Sequence, residues 1–138
     1  MSKNSITPSL TVAIAFALSP LVASAADAKV DISKLPPASG KQGVTYAADI
    51  KPIFEKSCFK CHGAEKQKAK LRVDSLEAVL KGSKDNKILV PGKSAESIVV
   101  FAVARLVEDD AMPPADKGDP LTKEQVGLIR AWIDQGAK

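Results

Sequence analysis

The pentapeptide Cys58-Phe59-Lys60-Cys61-His62 constrains this chain more than any other stretch, because it holds both cysteines and the only histidine. Two thiols separated by two residues, with an imidazole directly after, form the C-x-x-C-H pattern of covalent c-type haem attachment. The spacing has a chemical reason. Two sulfurs must reach two vinyl groups on one edge of a porphyrin, while the adjacent imidazole lies under the iron as proximal ligand. Two other uses compete for the same residues. A structural zinc site needs four ligands, and the chain offers only three of the usual Cys/His type. A thioredoxin-like dithiol opens a helix after a strand, whereas this motif follows a segment with helical spacing. The residues favour haem c bound covalently through Cys58 and Cys61, with His62 on the iron.

The N-terminus points to export. Lys3 precedes an apolar run from Leu10 to Ala23, broken by Ser19-Pro20, and Ala23-Ser24-Ala25 supplies the small-residue cleavage pattern. The run is short and interrupted for a transmembrane span; an uncleaved N-terminal anchor is the competing reading. Residues 1–25 are expected to be a signal peptide, which implies a periplasmic or otherwise exported protein with no integral membrane span after cleavage. No cysteine follows the run closely, so a lipidated N-terminus is not expected. The whole chain has 138 residues and a net charge of +4, a length that suits one domain. Cleavage would remove a single charged residue, Lys3, and the remaining surplus is too small to argue nucleic-acid or anionic-membrane binding.

Residues 26–44 are rich in Pro, Gly, Ser and charge and carry no sustained period, so they read as a flexible leader. The folded domain is expected over 45–138. A first helix is predicted over 49–58, with Asp49 as N-cap, Pro52 in the first turn, and Ile50, Ile53 and Phe54 on one face. Asp74-Ser75-Leu76-Glu77 has capping-box form ahead of Leu76, Val79 and Leu80, and Gly82 is placed to end that helix. Ser94 is the expected cap of a helix running to about Leu106 or Val107. Its β-branched run, Ile98-Val99-Val100, also suits a buried strand, but nothing else in the domain offers a strand partner. The clearest local signal is Leu121-Thr122-Lys123-Glu124-Gln125-Val126, a capping box between Thr122 and Gln125 with a hydrophobic staple from Leu121 to Val126. Leu128, Ile129, Trp132 and Ile133 continue its apolar stripe. The expected fold is all-α, a small single domain with about four short helices.

The sixth position on the iron needs a donor. After cleavage one methionine remains, Met112, and the single histidine is already used. Met112 is therefore the candidate distal ligand. Pro113 disfavours the α conformation at Met112 and Pro114 restricts Pro113, so the thioether sits on a stiff segment. The competing readings are a gap-filling apolar Met112 and an open or lysine-bound site. Arg72, with Lys70 beside it, is a candidate for the anionic haem propionates, since a guanidinium offers a planar bidentate fork; a solvated surface cation is the alternative. Charge is unevenly spread. Residues 49–72 carry seven cations and three anions, and residues 108–119 carry five anions and one cation, a pattern that would orient a redox partner or simply keep the protein soluble.

With these residues in place, the chain resembles the monohaem class I c-type cytochromes, specifically the planctomycete-type cytochrome c module. The matching stretches are Ile50-Lys51-Pro52-Ile53-Phe54, Cys58-Phe59-Lys60-Cys61-His62-Gly63 and Leu71-Arg72-Val73-Asp74-Ser75-Leu76-Glu77. They continue with Val90-Pro91-Gly92-Lys93, Met112-Pro113-Pro114, Trp132-Ile133 and Gly136-Ala137, and together span roughly Thr45 to Lys138. The resemblance implies a helical cytochrome c fold, one covalent haem c, His62 and Met112 as axial pair, and extracytoplasmic maturation. One departure stands out: the family often has a glycine pair where this chain has Ala69-Lys70. The expected function is single-electron transfer between redox partner proteins by Fe(II)/Fe(III) cycling, without enzymatic turnover. Its rivals are a peroxidase or gas-sensing haem protein with an exchangeable sixth ligand, and an electron-transfer subunit of a larger dehydrogenase.

Overall fold

The computed structural model describes residues 30–138, so the signal segment expected over 1–25 lies outside the described residues. Five α-helices follow in chain order: α1 Lys51–Ser57, α2 Phe59–His62, α3 Leu76–Lys81, α4 Ile98–Val103 and α5 Lys123–Asp134. No strand occurs among the described residues, and the only pairing of that kind is an isolated bridge between His62 and Gln67. The all-α expectation holds. The helix count exceeds it by one because Cys58 breaks the first helix at φ −125°, ψ −35°, leaving α2 as a separate turn that carries the motif.

Three helix starts fall on different residues from those expected, and each has a local cause. Thr45, not Asp49, caps the first helical segment, which opens as a π-helical turn over Tyr46–Ile50 and runs directly into α1. Thr45 accepts from the Ala48 amide, while the Asp49 carboxylate reaches back to the Thr45 amide at 3.0 Å. Asp49 thus closes the cap from inside the turn, as the acidic partner of a capping box does. Ser75, not Asp74, caps α3, because the Asp74 carboxylate is engaged by Arg72. Ser94 begins only a short 3₁₀ turn, Ser94–Glu96, and α4 starts after extended backbone at Ser97. The reason is side-chain competition for backbone groups. Ser97 Oγ donates to the Lys93 carbonyl at 2.8 Å and accepts from the Val90 amide at 3.0 Å, which holds Ser97 out of helical geometry.

The last helix begins as expected, with Thr122 and Gln125 forming both halves of the capping box. Its inner face carries Val126, Ile129, Trp132 and Ile133, each 2% exposed or less. The Trp132 ring lies 5.9 Å from that of Tyr46, and Tyr46 meets Phe54 edge-on at 6.4 Å. These contacts place α5 and the α1 segment on one shared core, which fixes the position of Cys58 at the end of α1. Among the described residues no helix is long and apolar enough to cross a membrane.

Residues 35–44, expected to belong to a flexible leader, lie along α5. Ser39 donates its amide to the Gly127 carbonyl at 2.9 Å. The Val44 amide donates to the Gln135 side chain at 3.1 Å, and the Gln135 amide nitrogen donates to the Lys41 carbonyl at 2.8 Å. Arg130 donates to the Pro36 carbonyl, and Leu35 packs on the core. Periodicity could not reveal this strap, because it is held by backbone groups. Its close fit depends on Gly127: a Cβ there would stand 2.7 Å from the Pro37 carbonyl oxygen. Gly127→Ala is therefore expected to destabilise the full chain by about 1 kcal/mol, the close contact outweighing the gain in helix propensity. In a chain beginning at Thr45 the same change should stabilise by about 1 kcal/mol, since only the propensity term survives. Denaturant midpoints of the two pairs check this sign reversal; equal signs would show that the strap does not rest on Gly127.

Candidate functional site

The motif's geometry follows from the kink at Cys58. Cys58 donates its amide to the Phe54 carbonyl at 2.7 Å and so completes α1, while its own carbonyl accepts from both the Cys61 and His62 amides at 3.0 and 2.9 Å. One carbonyl thus holds the second cysteine and the histidine in a single turn. Both cysteines are half-buried free thiols. Burial, with Cys61 adding to it, pushes the Cys58 thiol up to about 12. Gly63 is required next: a Cβ at that position would meet the Phe59 carbonyl oxygen at 2.5 Å.

His62 is oriented by the backbone. Its Nδ1 lies 3.2 Å from the Lys68 carbonyl oxygen, which selects the tautomer that donates from Nδ1 and leaves the Nε2 lone pair free for a metal. The Lys68 carbonyl reaches this position because the next two residues turn through left-handed backbone, Ala69 and Lys70 both at φ 54°. These are the positions where a glycine pair was noted as the familiar alternative. Holding an L-residue there costs roughly 1–2 kcal/mol per residue. Ala69→Gly is accordingly expected to stabilise the protein by about 1 kcal/mol, read as a higher denaturant midpoint at unchanged slope. A lower midpoint would mean that Ala69 is not strained.

Met112 is pinned from α4. Its amide donates to the Ala102 carbonyl at 3.0 Å, and Arg105, itself at φ 58°, donates to the Pro113 carbonyl at 2.9 Å. The Met112–Pro113 peptide is cis. These bonds reinforce the stiffness expected from the two prolines.

Between these elements lies a cleft of about 250 Å³, open at its mouth. Cys58, His62 and Met112 all line it, and its walls are mainly apolar, with Phe54, Leu71 and Val103 among them. Ile98, which also faces the cleft, is 45% exposed, as expected of a side chain that a flat apolar ring would cover. A soft sulfur, an imidazole nitrogen and a thiol around an apolar slot suit haem c. They do not suit zinc, and among the described residues no group of three or more His, Cys, Asp or Glu side chains converges to hold a metal ion.

Cys61 and Arg72 are not among the residues lining the cleft. Cys61 sits on the same turn as His62. Arg72 lines a neighbouring groove, and its Nε and Nη2 donate to Asp74 at 3.0 and 2.6 Å. This pair holds the Asp74 carboxyl below the usual carboxylate range, the Arg72 hydrogen bond being the largest cause. The Nε–Nη2 fork expected to be offered to a propionate is therefore already engaged, and Arg72 keeps both N–H groups of Nη1 and one of Nη2 for another acceptor. The structure also brings in polar groups that sequence reasoning passed over: Ser83, Asn86 and Asp110 stand at the cleft. No local pattern marks them, because a Ser or Asn in a loop looks the same wherever it points.

A helical domain with an apolar cleft bordered by a C-x-x-C-H turn on one side and a methionine on the other is that of a haem c electron-transfer protein. Residues 58–116 match the family model described as Planctomycete cytochrome C, which supports a planctomycete-type cytochrome c module over that stretch. The match runs from the first cysteine to just past Met112 and stops short of α5. Comparison with curated proteins and with solved structures found no match.

Proposed function

We propose that this chain is an exported monohaem c-type cytochrome that carries single electrons between two partner proteins, with His62 and Met112 as the axial pair. The observation that carries the reading is the convergence of Cys58, His62 and Met112 on one apolar cleft. When bound, haem c supplies a one-electron couple at its iron. The chain's own residues do the rest. Cys58 and Cys61 would anchor the group, and the Cys58 carbonyl holds the second cysteine and the histidine in one turn. The Lys68 carbonyl holds Nδ1 of the His62 ring, which leaves the Nε2 lone pair available to a metal. Ala102 and Arg105 hold the Met112 segment against α4, which suits a thioether, a weak ligand that benefits from fixed placement. Phe54, Val73, Ile88 and Val103 exclude water from the slot, and a methionine ligand in a dry pocket favours a high potential. An electron carrier rather than an enzyme is what this arrangement supports: both axial positions have a donor from the chain.

The test is spectroscopic. Protein matured with its own N-terminal segment in a bacterium competent for c-type attachment should show one covalent haem per chain by mass and pyridine haemochrome. Near-infrared magnetic circular dichroism of the oxidised form should show the methionine-to-ferric-iron charge-transfer band. A haem protein lacking that band would remove Met112 from the iron, and with it the electron-carrier reading.

A further inference from the structure

Beside the haem cleft runs a second, strongly basic groove, enclosing about 1000 Å³ including open space. It lies between the segment leading into α3 and the loop that follows it. Lys70, Arg72, Lys81 and Lys84 line it, with Glu77 as the one carboxylate among its lining residues. Ser83 lines both this groove and the cleft, so the two hollows meet at that residue.

The cations are not equally committed. Arg72 is bonded to Asp74, and Lys84 stands 3.9 Å from Asp85. Lys87, the other cation of this loop, donates to the Leu80 and Lys81 carbonyls and so closes α3. Lys70 and Lys81 make no salt bridge among the described residues. On the cleft's own lining the only carboxylate is Asp110, near Met112. The electrostatic gradient across the cleft is thus set: negative beside Met112, positive beyond Ser83.

A tetrapyrrole held through Cys58 and Cys61 bears its two carboxylate arms on the edge opposite the thioether bonds. Those arms need cationic or hydroxyl donors and avoid Asp110. We propose that the groove beyond Ser83 is the seat of the haem carboxylates, with Lys70 and Lys81 as their principal cations; Ser83, whose hydroxyl donates to the Asn86 carbonyl, marks the threshold by position only. Arg72 contributes through its free Nη1 while Asp74 fixes its plane. The inference rests on the haem reading above and assigns the group's orientation within the cleft. It also gives Lys70 a reason to occupy a left-handed backbone position that glycine would fill with less strain: the lysine supplies a charge there that glycine lacks.

The experiment compares holoprotein variants Lys70→Gln, Lys81→Gln and the double variant with Lys56→Gln, a lysine outside both hollows. Two readouts are used, the resonance Raman propionate-bending frequency and the reduction potential. The expected result is a shifted bending frequency in each groove variant, largest in the double, with a potential below that of wild type because removed positive charge eases formation of the ferric state. Lys56→Gln should leave the bending frequency unmoved. A frequency in the double variant equal to that of wild type would overturn the assignment while leaving the haem reading intact. A wild-type chain that carries no covalent haem would overturn both.

Discussion

Replacing Met112 by alanine is expected to open the iron to exogenous ligands, raising the apparent affinity of the reduced protein for carbon monoxide by about a hundredfold. The size follows from competition: a side chain occupying a site in about 99 of 100 molecules lowers apparent affinity by that fraction, and its removal restores the intrinsic value. Met112 has the local concentration to compete in this way. Its amide is tied to Ala102, and the following carbonyl to Arg105, so the thioether is presented to the cleft without a large ordering cost. The same substitution should abolish the methionine charge-transfer band and lower the reduction potential. Stability should fall by only about 1–2 kcal/mol, since Met112 is half-buried at the cleft rather than in the core. Carbon monoxide titration of wild type and variant separates the electron carrier from its rivals. Equal, tight binding in both proteins would favour the peroxidase or gas-sensor reading, in which the sixth position is already exchangeable.

What the sequence made legible divides along physical lines. The motif residues, the Thr122 cap and the inner stripe of α5 were readable because each depends on contacts within a few residues of chain. Met112 is reached as a candidate by elimination, there being no other methionine after the leader and no histidine besides His62, and the structure sets it on the cleft. Which partner a polar side chain takes, near or far along the chain, was not readable. Ser94 reads as a helix cap until the Asp134 carboxylate, arriving from α5, accepts both its amide and its hydroxyl at 2.8 and 2.9 Å. Arg72 reads as a free cation until Asp74, two residues on, engages two of its nitrogens. Ala69 and Lys70 carry no local signal of left-handed backbone at all; only the glycine pair frequent at these positions in the family the chain resembles suggests it. The strap over 35–44 looks disordered by composition and is held by main-chain donors and acceptors that every sequence possesses.

That strap bears on the choice between a free carrier and a tethered subunit. A tether to a larger assembly would need slack chain, and residues 35–44 are bound to α5 at several points.

Trp132→Ala should produce the largest loss of stability of any substitution discussed here, about 3–5 kcal/mol. Trp132 is fully buried on α5, and truncation would leave a cavity walled by rigid neighbours. Tyr46, 5.9 Å away by ring centres, could not collapse into it, because its hydroxyl donates to the Val73 carbonyl at 2.6 Å and its amide to the Lys138 carbonyl at 2.8 Å. Burial of that phenol is extensive enough to push it up to about 12. Losing the indole also removes the Nε1 donation to the Lys138 carbonyl at 2.9 Å, leaving that acceptor with the Tyr46 amide. Trp132→Phe separates the two effects. It restores much of the volume but not the donor, and should cost about 1–2 kcal/mol, the range for one hydrogen bond plus a small void. Against a total of 5–15 kcal/mol for a typical domain, the alanine variant should lose a large share of its stability before cofactor attachment and regain part of it in the haem-bound protein, because a group that binds the native state alone stabilises it by mass action. Circular dichroism of the apo and haem-bound forms of both variants checks this. An alanine variant as stable as wild type without haem would show that α5 is not the element organising the core around the cleft.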